Sequence, residues 1–255
     1  MVVDDRSYLF DFGPGVVRRA AAAAIRHNIP ALEAKNLRTA FVTHLHSDHT
    51  AGFADLILTP AVLERDAPLE VYGPKGLKSM TAHILAAYKV DIGVRLHGGE
   101  PSMPRGYVVN AHEIRPGVIF RDPSVTIEAF SVKHGAFHEA FGFRIASHDG
   151  RTIVISGDTL PSDTVVEKCA ACDVLVHEVY SQAGFRKRPP EWQRYHARYH
   201  TSTAELAALA LKAKPKLLVL THELIWSSNP EAMVAEIRAA GYTGALAFGS
   251  DLDVY

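Results

Sequence analysis

The hydrophobic positions of this chain fall into two kinds of segment that alternate along the sequence. Short apolar runs such as "AFVT", "TIVISG" and "LLVLT" have the length and the β-branched content of buried strands. Longer segments such as "VVRRAAAAAIRHN" and "TSTAELAALALKAKP" space their apolar residues as an amphipathic helix does. Strands that alternate with helices predict an α/β protein in which helices cover sheet layers.

Turn and capping residues indicate where several of these elements begin and end. The stretch Gly13–Gly15, "GPG", separates a predicted strand over "SYLFDFG" from the alanine-rich helix. Ser202 and Glu205 have the spacing of a capping box, and Pro215 follows the helix that they begin. Residues 90–121 are rich in Gly, Pro and single charges, and they predict an irregular segment.

The totals favour one ordinary globular domain. A chain of 255 residues with 47% hydrophobic residues can bury a sizeable core, and no repeat or linker divides it, so we expect one domain over 1–255. A formal net charge of −1 gives no global basic field that would attract nucleic acid. No apolar run is long enough for a membrane span.

The first residues and the two cysteines both bear on the cellular compartment of the protein. The chain opens in mid-strand, with no signal peptide, which suggests that the first strands of the fold are lacking. Cys169 and Cys172 form a single C-x-x-C, a weak zinc signal that we interpret as ordinary buried small residues. Both observations favour a cytoplasmic protein without a disulfide scaffold.

Residues that can bind metals follow directly after several predicted strands. "AFVT" leads into the stretch H-x-H-x-D-H, and three further strands are each followed by one His or Asp. If these strand ends share one edge of the sheets, seven side chains can converge there: His44, His46, Asp48, His49, His134, Asp158 and His222. A crowd of titratable groups has few packing roles, because burying it requires a compensating charge.

Seven nitrogen and oxygen ligands are too many for one tetrahedral zinc ion, so the sequence predicts two metals. Residues i and i+2 at a strand end face the same side, which assigns His44 and His46, with His134, to the first metal. Asp48 and His49, past the turn, would bind the second with His222, and Asp158 would bridge the two. Imidazoles without thiolates favour Zn²⁺, with Mn²⁺ or Fe²⁺ as alternatives.

This set of residues resembles the metallo-β-lactamase superfamily over essentially the full length of the chain. The resemblance lies in the H-x-H-x-D-H stretch, the later His134, the Asp of "SGDT" and the final His222. It implies a four-layer αββα sandwich with a dinuclear metal site at one edge. The family's first strands usually precede "LFDFGPG", so the first sheet is expected to lack them.

Within the superfamily, the ribonuclease Z-like branch is the most similar. "VLVHEVY" places Glu178, and "RYHTSTAELA" places His200, where that branch has its "HEAT"-like and "HST"-like motifs. The resemblance implies that both assist catalysis, the alternative being that Glu178 only holds a ligand. The basic tRNA-binding arm of that branch has no counterpart here, and the motif details are closer to arylsulfatase-like members. The family often forms homodimers, which is expected here too.

Between Glu178 and His200 lies a basic segment with interleaved aromatic residues. It has five cations against one acid, Glu191: Arg186, Lys187, Arg188, Arg194 and Arg198, with Phe185, Trp192, Tyr195 and Tyr199 between them. Such a loop could bind an aryl sulfate, an aryl phosphate or an unpaired nucleotide at the rim of the site. The alternatives are a solvated surface loop and a dimer contact.

The sequence therefore predicts a dinuclear zinc hydrolase that cleaves a small anionic phosphate or sulfate ester through a metal-bridging hydroxide. Asp48 would align the hydroxide, and His200, oriented by Glu178, would donate a proton to the leaving oxygen. The alternatives are a tRNA 3′-end endoribonuclease, with tRNA as partner, and a β-lactam or lactone hydrolase. A non-catalytic module is disfavoured, because all seven ligand positions are filled.

Overall fold

The computed structural model describes residues 1–255 and divides them into two compact units by their internal contacts. The first unit is Met1–Ile114 together with Val254, and the second is Arg115–Asp253 together with Tyr255. Each unit has a buried hydrophobic cluster of its own. No helix in either unit has both the length and the apolar character that a membrane span requires.

The first unit is built on a parallel sheet of four strands. A short antiparallel pair, β1 and β2, precedes this sheet, in which the strand order is β3-β4-β5-β6. The strands are β1 (Val2–Val3), β2 (Arg6–Ser7), β3 (Leu9–Phe10), β4 (Thr39–Phe41), β5 (Leu69–Gly73) and β6 (Val109–Glu113).

Five helices connect these strands, and the three longest of them bury apolar residues against the sheet. The five helices are α1 (Val16–His27), α2 (Ser47–Thr50), α3 (Phe53–Val62), α4 (Leu77–Ala87) and α5 (Lys89–His97), with 3₁₀ turns at Pro30–Leu32, Ala34–Asn36 and Pro104–Tyr107. Phe12, Leu37, Phe53, Leu56 and Val71 are fully buried in the cluster that results. This apolar packing fixes the ends of β3 and β4, where the polar residues of the site begin.

The second unit is built on a mixed sheet of seven strands in the order β13-β12-β11-β10-β9-β8-β7. The strands are β7 (Gly117–Arg121), β8 (Val125–Ser131), β9 (Phe141–Ser147), β10 (Thr152–Ile155), β11 (Val174–Tyr180), β12 (Leu217–Leu224) and β13 (Leu246–Phe248). The strands from β10 to β13 are parallel, and β8 runs in the same direction because both β8 and β10 are antiparallel to β9. The carboxyl ends of β8, β10, β11 and β12 therefore lie at one edge of this sheet.

Five helices belong to the second unit: α6 (Asp163–Cys169), α7 (Gln182–Arg186), α8 (Pro190–His196), α9 (Thr203–Ala213) and α10 (Pro230–Ala239). The predicted capping box is present, since Ser202 accepts from the Glu205 N–H and the Glu205 side chain accepts from the Ser202 N–H. Leu206, Ala210 and Met233 place α9 and α10 in the buried cluster of this unit.

The prediction of an irregular segment over 90–121 is wrong. This segment contains α5, β6 and β7. Helix α5 buries no residue, and its apolar residues, Val90, Ile92, Val94 and Leu96, stand at every second position rather than at helical spacing. Strands β6 and β7 each lie at the edge of their sheet and are largely exposed, which removes the alternation that reveals a half-buried strand.

The structure pairs Cys169 and Cys172 in a disulfide, where the sequence suggested ordinary buried residues. Both are buried as expected, in the apolar cluster of the second unit. Ala170 and Ala171 have left-handed backbone with φ of 39° and 67°, and this tight turn brings the two cysteine Cα atoms to 4.7 Å.

A buried arginine holds together the segments around α3. Arg65 is fully buried, and its guanidinium donates at 2.7–3.2 Å to the carbonyl oxygens of Leu37, Leu56, Ile57 and Gly106. Pro60 lies inside α3 and has no N–H, so the Leu56 carbonyl lacks its helical donor. Arg65 supplies that donor. Burial lowers the pKa of Arg65 to about 10, which leaves it charged at neutral pH.

Replacing this arginine tests its structural role. Arg65→Met keeps much of the side-chain volume and removes every donor, so we expect the free energy of unfolding to fall by about 3 kcal/mol or more. The measurement is urea denaturation followed by circular dichroism. The matched control is Arg38→Met, whose ion pair with Asp66 is exposed and should contribute less than about 1 kcal/mol. Equal losses in the two variants would contradict this role.

Candidate metal centre

The predicted ligands of the first unit lie in the turn that follows β4 and in the short helix α2 directly after it. His44 and His49 are buried, His46 is half-buried and Asp48 is exposed. His44 Nε2 lies 2.9 Å from His46 Nδ1, and His49 Nε2 lies 3.5 Å from Asp48 Oδ2. The ring centroids of His44 and His49 are 4.2 Å apart, so the three histidines of this segment form one group, and their division between two metals stays a prediction.

Backbone contacts with the "DFGPG" segment fix this turn. The Phe12 N–H donates to the His49 carbonyl, and the Gly52 N–H donates to the Phe12 carbonyl, both at 2.9 Å. A Cβ at Gly13 would lie 2.3 Å from the Asp48 carbonyl oxygen, and a Cβ at Gly52 would lie 2.2 Å from the Gly13 carbonyl oxygen. Only glycine permits this close approach, which explains the glycines on both sides.

Sequence reasoning missed Asp11, which orients one of the predicted ligands. Its Oδ1 accepts from the Thr43 N–H at 2.7 Å, and its Oδ2 accepts from the Thr43 hydroxyl and from His49 Nδ1, the latter at 2.7 Å. A carboxylate acceptor places the proton on Nδ1 and leaves Nε2 of His49 to bind a metal. The available signal in the sequence was an aspartate at the end of a predicted strand, in "LFDFG". In the structure, this aspartate has a left-handed backbone with φ of 61°.

The predicted ligands of the second unit converge on one carboxylate. Asp158 is 2% exposed, and its Oδ2 lies 3.5 Å from His222 Nε2 and 3.9 Å from both His134 Nε2 and His200 Nδ1. His134 Nδ1 donates to the Tyr199 carbonyl at 2.9 Å, which leaves Nε2 as its ligand atom. The carboxyl ends of β8, β10 and β12 bring His134, Asp158 and His222 to the same sheet edge.

A β-bulge turns His222 towards Asp158. Along the pair β11 and β12, Glu178 lies opposite Thr221 but Val179 lies opposite Glu223, so His222 is the extra residue. Its φ of 47° is left-handed, which is uncommon for a side chain other than glycine. Bulges of this kind redirect a side chain at a functional site, and neither apolar periodicity nor residue spacing reveals them.

Glu178 links the two backbone segments that carry Asp158 and His200. Its Oε1 accepts from the N–H groups of Thr159 at 3.2 Å and Thr201 at 3.0 Å, and its Oε2 lies 3.4 Å from His200 Nδ1. The Thr201 hydroxyl donates to the Thr159 carbonyl at 2.7 Å. Burial, together with the charge of Asp158, raises the pKa of Glu178 well above its usual range. These contacts tie the backbone after Asp158 to the backbone after His200.

The basic aromatic segment is helical rather than a loop. It forms α7 and α8, and Arg186, Lys187, Arg194 and Arg198 are exposed on it. Arg188 is instead half-buried, with its guanidinium carbon 5.2 Å from the ring centroid of Trp192 and 5.5 Å from that of Trp226. The residue Trp226 carried no signal in the sequence, because it lies far along the chain, after β12.

The donor atoms of the second unit suit a divalent metal ion. Asp158, His200 and His222 offer ligand atoms that all lie within 4.8 Å of one another. Two atoms bound to one tetrahedral ion at about 2.1 Å lie roughly 3.4 Å apart, which is close to the separations around Asp158 Oδ2. Imidazole nitrogens with one carboxylate, and no thiolate, are ligands that zinc accepts.

The comparisons with known proteins agree with this chemistry. A family model described as the β-lactamase superfamily domain matches residues 6–223. A ribonuclease Z from Mycobacterium bovis (strain BCG / Pasteur 1173P2) is 32% identical over 252 residues, covering 97% of this chain and 86% of that protein. Human tRNase Z, short form, superposes with a TM-score of 0.69 at 22% identity, covering 100% of this chain and 90% of the other. YhfI of Bacillus subtilis, a metallo-β-lactamase fold protein, gives a TM-score of 0.66 at 17% identity, with 97% and 86% covered.

The chain belongs to the β-lactamase superfamily and has the metallo-β-lactamase fold. The predicted α/β fold class and the resemblance to ribonuclease Z are confirmed, and so is the enzyme class, a metal-dependent hydrolase acting on ester bonds. The closer likeness to arylsulfatases, the single domain and the roles of the individual residues stay predictions.

The contact between Asp11 and His49 can be tested by a single atom exchange. In Asp11→Asn, an amide NH₂ that faces His49 Nδ1 can no longer accept its proton, so we expect zinc affinity to fall about 10- to 100-fold. Competition with a fluorescent zinc chelator measures this affinity. The control is Asp5→Asn, the same change at an exposed residue. Unchanged affinity in Asp11→Asn would show that the contact does not orient a ligand.

Proposed function

We propose that this chain is a dinuclear zinc hydrolase of phosphate or sulfate esters. The observation that carries this proposal is the convergence of three imidazoles on the buried carboxylate of Asp158, with Glu178 beside them. When bound, the metal ions would lower the pKa of a coordinated water towards neutrality and polarise the ester. The family model spans residues 6–223, so we propose that both units act as one catalytic domain.

The ligand set that we propose is the one given by the sequence motif and the family. His44, His46 and His134 would hold the first metal. Asp48, His49 and His222 would hold the second, and Asp158 would bridge them. Within each unit, the contacts support this division, because His44 pairs with His46, Asp48 pairs with His49, and both His134 and His222 face Asp158.

His200 is the proposed proton donor to the leaving oxygen. Its Nδ1 faces Glu178 and Asp158, so Nε2 at the opposite edge of the ring is the atom that can reach a substrate. Glu178 orients the ring through the contact between its Oε2 and Nδ1 of His200. The pairing of the 201–202 backbone with the end of β11, through the Tyr180 N–H and the Thr201 carbonyl, holds His200 in place.

A second candidate function is the endonucleolytic processing of tRNA 3′ ends. The alignment with a ribonuclease Z, which is 32% identical and covers 97% of this chain, favours this candidate. The chemistry is the same, hydrolysis of a phosphodiester, and the two candidates differ in the size of the substrate. A homodimer and a small anionic substrate remain predictions of the sequence.

Replacing the bridging carboxylate tests the metal centre. Asp158→Ala should lose most of its bound zinc and nearly all turnover of bis(p-nitrophenyl) phosphate, because the other ligands would lose their shared anion. Zinc per chain is measured by mass spectrometry of the purified protein. Asp163→Ala, at an exposed aspartate, is the control and should keep both. Full zinc occupancy in Asp158→Ala would contradict the bridging role.

Hydrolysis assays on the same purified protein distinguish the candidate substrate classes. We expect hydrolysis of bis(p-nitrophenyl) phosphate or p-nitrophenyl sulfate that disappears on chelation and returns with zinc. Cleavage of a 3′-extended precursor tRNA at a higher kcat/KM would favour the second candidate. Turnover of nitrocefin and of none of the other substrates would contradict both candidate functions.

Removing the proposed proton donor tests its role through the leaving group. His200→Ala should slow diphenyl phosphate, whose phenolate needs a proton, at least tenfold more than bis(p-nitrophenyl) phosphate, whose nitrophenolate does not. Zinc content should stay unchanged. His97→Ala, at an exposed histidine, provides the control. Equal slowing of the two substrates would rule out proton donation by His200.

A further inference from the structure

The guanidinium of Arg188 is held between two indole rings and has no acidic partner. Its central carbon lies 5.2 Å from the Trp192 ring and 5.5 Å from the Trp226 ring. The side chain makes no ion pair, and its buried Nε has no hydrogen-bond partner. No side-chain hydrogen bond of Arg188 to the protein uses the N–H donors at the edge of the guanidinium, so that edge can bind a ligand. That edge carries N–H donors in a fork that matches the oxygens of a phosphate.

The rings around Arg188 are fixed by the fold. Trp226 has left-handed backbone with φ of 49°, and its ring lies 5.9 Å from that of Tyr180, which stacks on Phe185 at 4.9 Å. His196 lies 4.7 Å from Trp226 and 5.7 Å from Trp192. We call Arg188, Trp192, His196 and Trp226 the indole cluster.

A buried polar group in this cluster also lacks a partner. His196 is 7% exposed, yet neither of its ring nitrogens has a hydrogen-bond partner. Buried imidazoles in folded proteins are nearly always hydrogen-bonded, because an unsatisfied polar atom costs about 1–3 kcal/mol. An unsatisfied histidine beside an unpaired arginine indicates a site arranged for a ligand rather than for internal packing.

The indole cluster adjoins the proposed proton donor. The rings of His196 and His200 are 5.7 Å apart, and the His200 N–H donates to the His196 carbonyl at 3.0 Å. A ligand group on Arg188 would therefore lie near a reacting ester at His200, separated from it by the width of the His196 and indole rings. The exposed cations of α7 and α8 add a positive field on this side.

We propose that Arg188 binds a second phosphate of the substrate, so that the substrate class is a nucleotide phosphodiester with at least two phosphate groups. The proposal depends on the proposed function, which assigns the scissile ester to the metal centre. A simple aryl sulfate or aryl phosphate has one anionic group and cannot occupy both places. Trp192, which is 45% exposed, offers a ring face on which a base of the same nucleotide can stack.

Two substrates that differ by one phosphate test this proposal. They are the p-nitrophenyl ester of thymidine 5′-phosphate and the 5′-p-nitrophenyl ester of thymidine 3′,5′-bisphosphate. In the zinc-loaded enzyme, Arg188→Met should raise KM for the bisphosphate at least tenfold and change its kcat less than twofold. For the monophosphate, KM should change less than twofold.

The matched control is Arg186→Met, which removes the same charge from an exposed position of the same segment. It should change the KM values of both substrates alike, by less than threefold, because the loss of one exposed charge weakens the positive field of this segment. An equal rise of both KM values in Arg188→Met, or no rise in either, would overturn the proposal.

A binding measurement separates this inference from the proposed function. The chain has only two tryptophans, and both flank Arg188, so tryptophan fluorescence reports on this cluster alone. Titration with thymidine 3′,5′-bisphosphate should give a saturable change that Arg188→Met abolishes and Arg186→Met keeps, even if neither ester is hydrolysed. No saturable change would overturn the proposal. Saturation by inorganic phosphate at the same concentration would also overturn it, since it would identify a site for a free anion.

Discussion

The arrangement of the second unit depends on one buried carboxylate, Asp158, and the imidazoles that face it. Burying an ionised carboxylate is costly unless positive charge and polar contacts compensate it. His134 and His222 place ring nitrogens 3.9 and 3.5 Å from this carboxylate, at spacings that suit a shared cation, and His200 Nδ1 faces the same oxygen at 3.9 Å. The sheet makes this convergence on Asp158 possible, because the carboxyl ends of β8, β10 and β12 lie at one edge.

Both units support their candidate ligands through hydrogen bonds and close approaches of the neighbouring backbone. In the first unit, Asp11 and the close approach of Gly13 and Gly52 hold the histidine turn. In the second, one oxygen of Glu178 accepts the N–H groups that follow Asp158 and His200. A contact of this kind fixes the direction of the preceding side chain, so each ligand is oriented before any metal or substrate binds.

The indole cluster extends this principle from the reacting group to the rest of a substrate. The superfamily uses one metal chemistry on many esters, so specificity must come from residues outside the ligand motif. Here Arg188 lies between α7 and α8, and Trp192 lies on α8, so both are in the segment between Glu178 and His200, while Trp226 follows the bulge that positions His222. The same two connections therefore carry both the proposed catalytic residues and the candidate contacts for substrate.

The sequence by itself determined the α/β class and the long helices and indicated the candidate metal ligands, because these depend on local periodicity and on residue types that have few other uses. It also located α9 through its capping box. It did not reveal α5, whose apolar residues do not follow the helical period, or the largely exposed edge strands β6 and β7. Tertiary structure alone decided the role of Asp11, the bulge at His222, the donor that Arg65 provides for α3, and the meeting of Arg188 with Trp226. Each of these joins residues far apart in sequence or depends on a backbone angle, and hydrophobic periodicity records neither.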